Sequence, residues 1–290
     1  MTELLLLLAA GILTVCGVGA ILGRRPAGRL SAGRGPLGRA AQRWTRARDG
    51  LVGALGAPVA AAVVLLAGVA ATVAVCWPLG IVAHRLENPV DVPLFAWTSG
   101  RQHHGWTQIN QVVTLMGNRP EVKVVCVVSA VVLTILWRRR EWWLPPVAIA
   151  AAFGIEKYGQ TLLGLVVHRG HPPTTHGTYP SGGVARLLAI YGVILFLVLL
   201  TYPAIGRRWR LIVWTAFGVA AFVEGYTRIY LLKHWFTDVV GGWIYGSLLL
   251  FALVAATETL ARGRLGTRPA DHPRESPSSS DSERADLHTA

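Results

Sequence analysis

The segment Thr227-Arg228-Ile229-Tyr230-Leu231-Leu232-Lys233-His234-Trp235-Phe236-Thr237-Asp238 holds residue types suited to nucleophilic chemistry. His234 and Asp238 stand four apart, so on a helical turn they share a face. Asp238 can then hold the imidazole Nδ1–H and leave Nε2 free for attack. Arg228 and Lys233 add positive charge suited to an anionic substrate. A surface histidine with a capping Asp at a helix start fits the same residues equally well.

A second segment runs from His168-Arg169-Gly170-His171-Pro172-Pro173 through His176 to Tyr179-Pro180-Ser181-Gly182-Gly183. An apolar run follows, which places Ser181, Gly182 and Gly183 at a helix N-terminus. Free N–H groups and the positive dipole end favour an anion there. Glycine lets the backbone approach closely. Arg169 is within loop reach of the same anion. An ordinary N-cap serine after a Pro turn is the plainer alternative. The adjacent pair His103-His104 has the residue type for a metal site, but exposed polar residues beside interfacial Trp97 and Trp106 explain it more simply. Gln108–Met116 reads as a short amphipathic helix on the membrane surface.

The elements that must carry these residues follow from the apolar pattern. Of 290 residues, 52% are hydrophobic and 15% charged, and the net charge is +13. That is too apolar for a disordered chain. Cys16, Cys76 and Cys126 each sit in an apolar run, so no disulfide scaffold is present. A membrane helix needs about 20 mostly apolar residues. Seven runs qualify: Leu4–Leu22, Leu51–Leu79, Val122–Trp137, Leu144–Val167, Val184–Pro203, Leu211–Tyr226 and Val239–Ala261. Glu3 before the first run and arginines after it give the reverse of signal-peptide order, so that run is expected to be an anchor with its N-terminus outside.

The basic residues alternate with the runs. Eight arginines lie in Arg24–Arg48, and others at Arg138-Arg139-Arg140, at Arg207, Arg208 and Arg210, and in the tail. Together these places hold 19 of the 28 basic residues, which marks them as cytoplasmic. No cluster is interleaved with stacking aromatics, so nucleic acid is not an expected partner. The expected organisation is an anchor at 1–23, a flexible basic cytoplasmic loop at 24–50, a six-helix membrane domain at 51–261 and a disordered cytoplasmic tail at 262–290. The histidines outside the tail then gather at the outer face of the plasma membrane.

Pro180-Ser181-Gly182 and Arg228-x5-His234-x3-Asp238, in successive outer loops separated by two helices, resemble the second and third motifs of the type 2 phosphatidic acid phosphatase and vanadium haloperoxidase superfamily. The stretch from Asp91-x-Pro-Leu-Phe-x-Trp through Thr114-Leu115-Met116-Gly117 is similar to theirs as well. The resemblance covers about Asp91 to Ala256. It implies an all-α integral membrane bundle of six helices, here with one extra N-terminal helix, and no metal or organic cofactor. It implies that His234 attacks phosphorus to give a phosphohistidine and that Asp238 orients it. Arg228, Ser181 and Gly182 would bind phosphate oxygens. The implied substrate is a lipid phosphate or diphosphate whose tail stays in the bilayer.

Four positions depart from the family pattern, one of them mildly: Thr227 stands where a serine usually precedes the third-motif arginine. The second motif normally ends in the histidine that protonates the leaving group, and here that place is Gly183. The first motif is Lys-x6-Arg-Pro; aligned on Pro172, its arginine is His171 and its lysine Gly164. The expected substitutes are His168, His171 or His176 for the acid and Arg169 for a phosphate ligand. Lys157, two helical turns before Gly164, is a poor one. Glu156 and Glu224 are further ionisable groups within the apolar runs. Two functions follow as expectations: a lipid phosphatase or phosphotransferase, or an impaired relative that binds a lipid phosphate or a membrane partner.

Overall fold

The computed structural model describes residues 36–139, 141–175 and 177–265, and every regular element among them is helical. The first apolar run, the arginines before residue 36, Arg140, His176 and the tail from residue 266 lie outside the described residues. In chain order the helices are α1 (Pro36–Leu55), α2 (Ala57–Arg85), α3 (Val92–Ser99), α4 (His104–Val113), α5 (Arg119–Leu136), α6 (Leu144–Val167), α7 (Gly182–Thr201), α8 (Arg207–Tyr230) and α9 (Phe236–Leu265). A π turn at Glu87–Asp91 leads into α3, and a 3-10 turn at Thr114–Gly117 leads into α5.

Local chemistry sets the boundaries. Prolines stand in the first turns of α2, α5 and α6, where a missing N–H costs nothing. Gly56, at φ 75°, breaks the run that begins at Leu51, so that run divides between α1 and α2. The stretch up to Gly50 was expected as loop, yet residues 36–55 are helical. Arg48 explains the difference. It is 3% exposed and lies 3.7 Å from Glu258 of α9. One face of α1 is therefore held by an ion pair and an arginine stem, without an apolar stripe in the sequence. The amphipathic helix expected at Gln108–Met116 lies slightly earlier, as α4 and the 3-10 turn after it.

Among the described residues three helices, α2, α7 and α9, are long and apolar enough to cross a membrane. The apolar window of α9 is 83% buried and that of α2 28%, so α9 forms the centre of the bundle and α2 its rim. Along their seam, a Cβ added at Gly68 would stand 2.5 Å from the Ala252 Cβ, a small-residue contact of the kind that membrane helices use to pack closely. On α5 the polarity is inverted: Val124, Val127, Val128, Val131, Val132 and Ile135 form an exposed stripe. Only a lipid solvent makes such a stripe favourable. The lower hydropathy of α6 and α8 comes partly from buried Glu156, Gln160, Glu224 and Arg228 near the candidate site, and partly from Lys157, Arg207, Arg208 and Arg210.

The helices alternate in direction. The ends of α2, α6 and α8 meet the starts of α5, α7 and α9 at one pole of the bundle, joined there by contacts such as Ser181 to Asp238 and Arg186 to Gly117. Arg138, Arg139, Arg207, Arg208 and Arg210 all lie at the other pole.

Candidate active site

The turn before α7 is tied to the start of α9. The Ser181 N–H donates to the Asp238 carbonyl at 2.9 Å. The Ser181 hydroxyl is fully buried and has no hydrogen-bond partner among the described residues. Gln160 of α6 backs the turn: its Nε2 donates to the Pro180 carbonyl at 3.4 Å, and a Cβ at Gly182 would meet its amide at 2.6 Å. Glycine is needed there because the backbone and the amide share that space.

His234 lies on the turn between α8 and α9. Its Nδ1 is 3.7 Å from Asp238 Oδ2, close but beyond a hydrogen bond. Asp238 is fully buried, and its Oδ2 also accepts from the Trp235 N–H at 3.2 Å. The loop after α6 holds this turn from above, because Thr175 Oγ1 donates to the Lys233 carbonyl at 2.7 Å and Thr174 Oγ1 donates to the Leu232 carbonyl. A cavity of about 10 Å³ beside His234, lined also by Asp91, Phe95 and Trp235, has room for about one water. Burial and the neighbouring Arg228 pull the Lys233 ammonium below the usual lysine range.

Arg169 is enclosed rather than open to a ligand. Its side chain is 1% exposed. One Nη donates to Asp238 Oδ1 at 2.8 Å and to Thr237 Oγ1, and the other donates to Asp91 Oδ2. Its Nε faces Glu87 Oε2 at 3.5 Å. Asp91 also accepts from the Thr237 N–H at 3.0 Å and from its hydroxyl at 2.7 Å. Burial pushes the Asp91 carboxyl above the usual range, and Arg169 and Thr237 pull it back. Arg169 therefore clips the turn after α2, the loop after α6 and the start of α9 together, and orients Asp238 from behind. From the sequence Arg169 is expected at a phosphate; in the fold three carboxylates stand around its charge.

Arg228 is buried as well. Its Nε donates to Glu224 Oε1 at 2.7 Å, and one Nη donates to the Thr114 carbonyl at 3.0 Å and Asn118 Oδ1 at 3.1 Å. A Cβ at Gly183 would stand 2.5 Å from Arg228 Nε, and one at Gly117 would stand 2.2 Å from Glu224 Oε1. The two glycines thus make the cradle that the Arg228–Glu224 pair fills. Next to it, Arg186 Nε donates to the Gly117 carbonyl at 2.9 Å, and its Nη1 lies 3.7 Å from Glu156 Oε1.

Residues 140–262 match the family model of the PAP2 superfamily. This stretch resembles the PAP2 superfamily. The chain is 30% identical over 118 residues to phosphatidylglycerophosphatase B of Bacillus subtilis (strain 168), a match covering 39% of this chain and 58% of that protein. The chain thus spans under two thirds of the length of the curated relative it matches. In structure it is similar to the crystal structure of the first transmembrane PAP2 type phosphatidylglycerolphosphate phosphatase from Bacillus subtilis, with a TM-score of 0.53 and 21% identity over 68% of this chain and 93% of that one. The PAP2 resemblance and the all-α membrane fold are both borne out.

The PAP2 motif segments converge as their order in the chain implies. Ser181, Gly182, Arg228, His234 and Asp238 all lie at one pole. The expected substitutes fare differently. His168 is exposed at the end of α6, and no hydrogen bond or ion pair links it to His234, Asp238 or the Ser181 turn among the described residues. His171 is exposed, with Nδ1 3.0 Å from the carbonyl of its own neighbour Pro172. Lys157 points elsewhere, over the Tyr158 ring at 5.3 Å. Sequence reasoning left Asp91, Thr237, Gln160, Arg186 and Arg119 without roles. A signal for Asp91 existed in its apolar surroundings, but its partner lies 78 positions away in the chain.

Proposed function

We propose that this protein hydrolyses a phospholipid or polyprenyl (di)phosphate, with His234 as nucleophile and a phosphohistidine intermediate. The observation that carries this is the His234–Asp238 pair, 3.7 Å apart, beside the glycine turn that opens α7. Catalytic hydrogen bonds of this kind commonly tighten when substrate binds. Asp238, aligned by Arg169 and the Trp235 N–H, would then accept from Nδ1, and Nε2 would attack phosphorus. The P–O bond to the lipid breaks, and the leaving oxygen takes its proton from water. Water next attacks the phosphohistidine and frees phosphate. The N–H groups of Gly182 and Gly183 and the Arg228 guanidinium would balance charge on the phosphoryl oxygens.

General acid catalysis typically contributes about 10²–10⁴-fold. With Gly183 in the acid's place, a diphosphate is the favoured substrate, since its leaving group needs no proton. The basic clusters at the opposite pole support a site on the outer face of the plasma membrane, with the C-terminus inside.

A second reading has its own observation. The Arg228–Glu224 pair fills the space above Gly183, as befits a relative that holds a lipid phosphate without turning it over. Purified protein in nanodiscs, assayed for phosphate release from lipid monophosphates and diphosphates, separates the two. The phosphatase reading expects release from the wild type, faster with diphosphates, that falls to background in His234→Ala. Orthovanadate binding by a wild type that releases nothing would instead establish the binding reading.

A further inference from the structure

We propose that Arg119 is the cation that takes the place of the absent first-motif basic pair, binding the substrate phosphate beside the Ser181–Gly183 turn. This rests on the phosphate site proposed above. The arginines nearest that site are already engaged: Arg169 by Asp91, Asp238 and Glu87, Arg228 by Glu224, and Arg186 with Glu156 at 3.7 Å. Arg119 is exposed and forms no ion pair within 4.0 Å among the described residues, although its charge is felt at the buried Glu156, which Arg186 faces more closely. Its charge is therefore available.

Its position is also suitable. Arg119 Nη2 donates to Gln160 Oε1 at 3.4 Å. Gln160 sits one helical turn before Gly164, where the family's lysine would be, and its amide packs against Gly182. Asn118, the preceding residue, accepts from Arg228. Arg119 is thus one side chain from the second-motif turn and one residue from the arginine of the third motif. It also stands in the first turn of α5, where the positive dipole end opposes a cation. An anion bound there would satisfy both charges. The buried Ser181 hydroxyl, without a hydrogen-bond partner among the described residues, stands at the same turn.

Isothermal titration of the full-length protein with orthovanadate tests this without requiring turnover. Arg119→Ala is expected to weaken vanadate binding at least tenfold, Arg119→Lys to restore most of it, and both to leave the thermal midpoint unchanged because the side chain is exposed. In the lipid phosphatase assay, Arg119→Ala should raise KM more than it lowers kcat. Unaltered vanadate affinity in Arg119→Ala, with binding lost in Arg228→Ala, overturns the role of Arg119 and leaves the phosphate site standing. A wild type that binds no vanadate and releases no phosphate overturns both.

Discussion

At position 183 the missing side chain and the arginine above it are one feature. A Cβ there would stand 2.5 Å from Arg228 Nε and 2.6 Å from its Cζ. Restoring the family's histidine therefore does not restore the family's site, because Arg228 holds the space and Glu224 holds Arg228 at 2.7 Å. Even Gly183→Ala should destabilise the protein by about 1–3 kcal/mol through overpacking, read as a lower thermal midpoint in detergent. Gly183→His should gain no phosphatase activity by itself. A His variant that folds normally and turns over faster than wild type would show that Arg228 moves freely, contrary to this geometry.

Among the elements, the decisive joint is the Arg169 clip. Three segments distant in sequence contribute Asp91, Arg169, and Thr237 with Asp238, and all of these side chains are buried or nearly so. Removing one partner of a buried ion pair typically costs about 3–5 kcal/mol, because the others remain charged and unpaired. Arg169→Met should lower the thermal midpoint strongly and reduce turnover through a misplaced Asp238. Arg169→Lys should recover little, since an ammonium cannot span several carboxylates as a guanidinium fork does. Full stability in Arg169→Met would remove the clip from the account. Helix α1 teaches a related lesson at this scale. Its anchoring residue Arg48 reads as one more loop arginine until Glu258 appears beside it.

For the whole molecule, among the described residues, the alternation of α2, α5, α6, α7, α8 and α9 puts the candidate site at one pole and the exposed arginines Arg138, Arg139, Arg207 and Arg208 at the other. In a background lacking Cys16, Cys76 and Cys126, a single Gly100→Cys should react with a membrane-impermeant maleimide in intact cells. Arg207→Cys should react only after the membrane is permeabilised. The opposite labelling pattern would turn the site inward and exclude substrates of the outer leaflet. If the labelling runs as expected, the net charge of +13 is chiefly a matter of orientation.

Local physics was enough for the long apolar helices from Ala57 onward, though not for the short helix Val92–Ser99, and for the four-residue spacing that puts His234 near Asp238. Apolar length, proline and glycine positions and a four-residue spacing are properties of neighbouring residues, and they can be read along the chain. The use made of each arginine could not be. Arg169 and Arg228 have the right type and the right loop to bind phosphate, and folding also delivers Asp91, Glu87 and Glu224 beside them. Arg119 carries no motif, and folding leaves it beside the phosphate turn with no ion pair among the described residues. A buried guanidinium is governed by whichever charges the tertiary structure brings within a few ångströms, because little water remains there to screen them.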